Sequence, residues 1–141
     1  MAFRFNPLTG ELDIAFDDSS GGSSLILTLG CDSSVYVGAA VYLGAGDIAF
    51  NTLADDISTS LVFGFAISKP TSTTCEVRIA GITEEIFTGL TIGEQYFLSD
   101  TVAGEITTIV PTIANHVIAP VGIPLTDKKI AIAIQSRIKR S

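Results

Sequence analysis

The chain has 141 residues, is 47% apolar and only 16% charged, and carries a net charge of −7. That length suits one domain with a real core and leaves no room for two, while no run approaches the roughly 18 apolar residues of a membrane helix. Met1 to Leu8 lacks the charged start and apolar centre of a signal peptide, so no secretion or membrane step is expected.

Phe3 and Phe5 precede a turn-like Asn6-Pro7-Leu8-Thr9-Gly10, after which Leu12, Ile14 and Phe16 resume with period two. This spacing predicts an extended arm or a small hairpin. Asp17 to Ser24 (DDSSGGSS) then reads as a flexible polar linker, giving an arm and linker over residues 1–24 and a β-domain over 25–141. The arm residues Phe3, Phe5, Leu8, Leu12, Ile14 and Phe16 are the candidate protein-binding set. They would lie on a neighbouring subunit by strand addition, or else pack as a hairpin on their own domain.

From Leu25 onward, short β-rich runs are divided by Gly, Ser, Thr and Asp. The expected strands are Leu25 to Leu29, Val35 to Leu43, Asp47 to Phe50, Leu61 to Ser68, Cys75 to Ala80 and Glu84 to Phe87, with Asn51 to Ser60 a loop or a single turn. Spacing of about ten residues predicts an all-β fold, a small β-sandwich or β-barrel. In Cys75 to Ala80, Val77 and Ile79 alternate with Glu76 and Arg78, predicting an apolar face inward and a charged face in water. Cys31 and Cys75 have no metal-like spacing and read as free, buried thiols.

Gln95 to Ser99 and Glu105 to Val110 form the next expected hairpin, turning around Asp100 to Gly104. Val117 to Ile123 follows, with Pro120 and Pro124 favouring an edge position or strand ends. The last expected strand, Lys129 to Ile138, would turn Ile130, Ile132 and Ile134 toward the core. Charge is segregated along the chain. Residues 1–127 hold 15 acids and 3 bases, and 128–141 hold five bases and no acid. Arg137, Lys139 and Arg140 are thus candidates for contact with nucleic acid or an acidic neighbour. With no aromatic residue interleaved to stack on bases, the favoured reading is a solvated or intersubunit basic end to the last strand, and specific nucleic-acid recognition is not expected.

Gly89-Leu90-Thr91, Gly93, Tyr96, Leu98-Ser99, Gly104-Glu105-Ile106-Thr107, Pro111-Thr112 and Val121-Gly122 resemble a module of structural proteins from tailed bacteriophages. The opening FRFNPLTGELDIAF is similar to the amino-terminal F-N-P-x-T-G-x-x-D segment of phage fibre and virion proteins. Together the two cover about two fifths of the chain. The resemblance implies a non-enzymatic virion protein made in the host cytoplasm. Its most concrete form is a trimeric capsid decoration, or cement, subunit on the major capsid protein; the alternatives are a short fibre, a tail adaptor or a glycan-binding receptor module. The composition agrees with a protein partner. A charged share well below the usual 25% or so points to apolar surface covered by other protein.

Chemistry-bearing constellations are sparse. His116 is the sole histidine, which excludes a multi-histidine metal site, and no G-x-S-x-G elbow accompanies it. Asp17-Asp18, Asp55-Asp56 and Glu84-Glu85 are adjacent pairs, which point to opposite faces of a strand, and no D-x-D-x-D-G calcium pattern is present. Gly44-Ala45-Gly46 lacks the third glycine and helix of a phosphate loop and reads as a hairpin turn. Tyr36, Tyr42 and Tyr96 could offer a sugar-stacking surface. No catalytic residue, metal or cofactor is expected.

Overall fold

The computed structural model describes residues 25–140; the arm expected over residues 1–24 lies outside the described residues. The described chain is all-β. β1 (Leu25–Cys31) and β5 (Thr74–Ala80) pair antiparallel, with Leu27 opposite Val77 and Leu29 opposite Cys75. β4 (Gly64–Thr71) runs beside β5, and β2 (Ala40–Leu43) beside β4. β3 (Ile48–Asn51) returns from β2 through the hairpin turn at 44–47 and meets β1 in parallel, Cys31 opposite Ala49. The result is a closed barrel in the order β1-β3-β2-β4-β5. Closure leaves this layer without a free edge.

Because successive side chains alternate across a strand, each barrel strand has an inner and an outer set. The inner set is small: Cys31, Val41, Ala49, Ala66, Cys75 and Val77 fill the interior. On the outer side of β2 and β4, Ala40 and Phe65 are equally buried, because a second layer covers that wall. This layer is a sheet in the order β10-β9-β6-β7, made of β6 (Tyr96–Leu98), β7 (Ile106–Thr107), β9 (Pro120–Pro124) and β10 (Ile130–Ile132). A two-stranded ribbon of β8 (Val117–Ile118) and β11 (Ile138–Lys139) extends it. Tyr96, Leu98, Val117, Val121 and Ile130 pack with Ala40 and Phe65 in the shared core, where Phe65 meets Phe87 edge-on at 5.6 Å.

Residues 52–54 stitch the layers together. Thr52 N–H donates to Ala40 O, Gly104 N–H to Thr52 O, Ala54 N–H to Ser99 O and Val117 N–H to Ala54 O, all at 2.7 to 2.9 Å. A backbone stretch between two layers therefore has its polar groups satisfied by both.

Several expected elements are shorter or different. Val35 to Leu43 is not one strand: Asp32 accepts from the Ser34 N–H and Val35 N–H donates to Asp32 O, so a turn holds the chain until β2 begins at Ala40. Glu84 to Phe87 is irregular, and Ile86 and Phe87 reach the shared core from a loop. The last strand breaks after Ile132, leaving Ile134 exposed. Pro120 and Pro124 do sit at the two ends of β9, but that strand lies inside its sheet. Arg78 is buried and not solvated, for β5's outer face is partly covered and Glu84 meets the guanidinium there.

Candidate functional site

The basic end of the chain is folded into the domain. β11 pairs with β8, Ile138 opposite Ile118 and Lys139 opposite Val117. Arg140 N–H then donates to His116 O, and Asn115 N–H to Arg140 O, each at 2.8 Å. Arg137 turns back on the loop at 56–60, its Nη1 donating to Ile57 O at 2.5 Å and to Ser60 Oγ at 3.2 Å. In that loop Asp56 caps a short 3-10 turn, accepting from the N–H and hydroxyl of Ser58 at 2.8 Å. These bonds hold its carboxyl below the usual carboxylate range, with Lys139 adding a smaller attraction. Of the three candidate basic residues, Arg137 and Lys139 thus lie beside an acidic loop of their own domain.

Between that loop and the strand runs a groove of about 310 Å3 lined by Ile57, Leu61, Val62 and Ile134 and by the polar Gln135, Ser136 and Arg137. Ile57, Leu61 and Ile134 expose large apolar side chains into it. Alternation in an antiparallel ladder adds a second feature. Arg140 directs its N–H and C=O at the β8 side, so the backbone groups of Lys139 face the other way, where β11 has no neighbouring strand among the described residues. This is an open edge beside a groove of mixed apolar and polar lining, and no single sequence motif marks it. The apolar positions come from residues more than 70 apart in the chain and are joined only by the fold.

His116 lies near this ribbon. Its Nδ1 is 2.8 Å from Asp100 Oδ2, both side chains being largely covered. The pair ties the β6–β7 turn to the loop before β8. Ser99, next to Asp100, has its hydroxyl oxygen engaged by the N–H groups of Thr101 and Val102 at 3.1 and 3.0 Å. That hydroxyl organises the turn, an arrangement in which the side chain competes for local backbone donors.

The remaining candidates are dispersed. Cys31 and Cys75 are free and buried inside the barrel, where desolvation and the Cys31 contact push the Cys75 thiol up to about 12. Such a thiol holds its proton at neutral pH and is a poor nucleophile. Tyr96 is buried, its hydroxyl accepting from Thr91 N–H at 2.9 Å; Tyr42 stacks on Phe50, and the Tyr36 hydroxyl donates to Ala103 O at 3.1 Å. Gly44-Ala45-Gly46 forms the β2–β3 turn. Asp17-Asp18 and the arm residues Phe3, Phe5, Leu8, Leu12, Ile14 and Phe16 lie outside the described residues. Among the described residues no group of three or more His, Cys, Asp or Glu is placed to hold a metal ion, and no helix is long and apolar enough to cross a membrane.

Scans against protein-family models, curated proteins and solved structures found no match to this chain.

Proposed function

We propose that this is a non-enzymatic virion protein of a tailed phage, a capsid decoration subunit that docks on the shell as a trimer and strengthens it. One observation carries the reading: the second layer leaves large aliphatic side chains in water. Ile109 is 72% exposed, Ile92 64%, Ile138 60% and Ile113 53%. Each belongs to the outer layer or to the loops between the layers, whereas the barrel interior is fully enclosed. Surfaces of this kind are covered in their working state, by a second copy or by another protein.

Docking would act through burial. Removing apolar surface from water contributes about 25 cal/mol per Å2 before ordering costs, and repetition over a symmetric shell multiplies a modest contact. The arm residues Phe3, Phe5, Leu8, Leu12, Ile14 and Phe16 would add contact area on a neighbouring subunit. Adding purified protein to shells assembled without it tests this. The expected result is saturable binding and shells that resist heat better; shells that neither bind the protein nor gain heat resistance would overturn the proposal.

A further inference from the structure

β7 is an end strand of its sheet. Phe97 lies opposite Thr107 and Leu98 opposite Ile106, and Ser99 N–H donates to Glu105 O. Bonded and non-bonded pairs alternate along an antiparallel ladder. Leu98 N–H donates to Ala119 O, away from β7, so Leu98 and Ile106 are a non-bonded pair and the Ile106 N–H and C=O point out of the sheet. Among the described residues no strand meets them there.

A groove lies against each face of this edge, and the two share Glu105 and Ile106. The core-side groove, about 330 Å3, is walled by Tyr36, Val37, Ile86, Phe87 and Leu90. The other, about 360 Å3, has Ser99, Val102, Thr107 and Ile109 around it. Alternation explains the division: Leu98 and Ile106 pack in the shared core, which turns Ser99, Glu105 and Thr107 to the opposite face.

We propose that β7 takes up an extended segment of another protein as an added strand, with apolar side chains in the core-side groove and basic ones between them on the outer face. The open N–H and C=O select an extended backbone, and a groove on each face receives alternate side chains, which is how strand addition gains affinity and specificity. Charge selects the bases. The two grooves are lined by two carboxylates, Asp100 and Glu105, and by no base. Asp100 is engaged by His116, while Lys69, near Tyr36, gives its ammonium to the Ser33 and Val35 carbonyls. Among the described residues Glu105 makes no ion pair. Burial, and after it the Glu105 charge, pushes the Tyr36 hydroxyl up, which sets that carboxylate near an exposed aromatic ring. A carboxylate and a ring together suit lysine or arginine.

This deepens the docking reading and rests on it only for the source of the segment. The test titrates the isolated full chain with the blocked heptapeptide Thr-Val-Lys-Ile-Arg-Val-Thr, followed by the Ile106 amide resonance. Saturable binding with a Kd below about 1 mM is expected. N-methylation of the peptide at its three apolar residues, whose amides would face β7, should abolish binding; N-methylation at its two bases, whose amides would face away, should not. Glu105→Gln should weaken binding about threefold, and glutamate in place of both peptide bases should weaken it further. An Ile106 amide unmoved by the peptide, equal binding of the two methylated forms, or equal binding of the basic and acidic peptides would overturn the proposal. So would an Ile106 amide already protected from exchange without peptide: at every protein concentration this places the chain's own residues on the edge, and only at high concentration a second copy. No particle enters the titration, so a shell that fails to bind the protein leaves its outcome standing.

Discussion

In the barrel, β4 and β5 run for eight and seven residues and every strand has two neighbours; in the layer packed against it, β7, β8 and β11 are two residues each. The barrel interior is enclosed on all sides, whereas the second layer buries one face against Phe65 and Ala40 and shows isoleucines to water on its other sides. The lesson is a division of labour. A closed barrel satisfies its own strand hydrogen bonds, while an open, turn-rich layer leaves strand edges and apolar side chains in water.

The sharpest way to break the comparison is at the seam. Phe65→Ala removes a fully buried ring that belongs to a barrel strand yet fills the shared core, and should cost about 3–5 kcal/mol in denaturant unfolding. A loss below about 1 kcal/mol would mean that the two layers do not depend on each other, since truncations in such cores cost several times that.

Glycine positions separate the layers more finely. A Cβ at Gly64 would meet Arg78 O at 2.5 Å, across the β4–β5 pairing of the barrel; one at Gly122 would run into Ala131 O, across β9 and β10. Each Gly→Ala change should cost roughly 1–3 kcal/mol by overpacking against backbone. In amide exchange the first should loosen the barrel and the second the outer sheet, if the layers open separately. Identical exchange patterns would show one cooperative unit.

Arg78 and Glu84 join β5 to the loop that leads into the second layer, through Nε to Oε1 at 3.0 Å and Nη2 to Oε2 at 2.5 Å. Arg78 lowers the Glu84 carboxyl below its ordinary range, chiefly by hydrogen bonding. With the folded value depressed, the stabilisation is present above the unfolded value near 4.3 and is lost as pH falls through the folded one. Because Glu84 is nearly half exposed, solvent screening holds the expected cost of Glu84→Gln at neutral pH to about 1 kcal/mol. The difference between natural chain and variant should vanish in acid, by thermal unfolding at pH 7 and pH 3. The smallest effect is expected at Ile109→Ser, within about 0.5 kcal/mol of the natural stability, while shell binding weakens.

What could be read in advance follows the same division. Period two in Cys75 to Ala80 and the Gln95 to Ser99 run located β5 and β6, because local alternation is what those strands are made from. The alternation misled at Arg78, since burial on both faces of a strand depends on a layer that the local pattern does not encode. Glu84 to Phe87 carries strand-like residues, but Phe87 N–H donates to Lys128 O and Leu90 N–H to Asp127 O, which fixes a loop by distant partners. The basic residues at 137–140 stood out by charge, yet the groove they flank did not. Ile57 and Leu61 meet Ile134 only after the chain has closed the barrel and crossed the second layer.

The proposed position on the shell is tested most directly on whole particles. Purified virions, imaged and reconstructed without imposing a position for this subunit, should carry it as trimers spread over the whole shell in register with the shell's symmetry. A few copies confined to the tail, or none on the particle, would contradict the assignment.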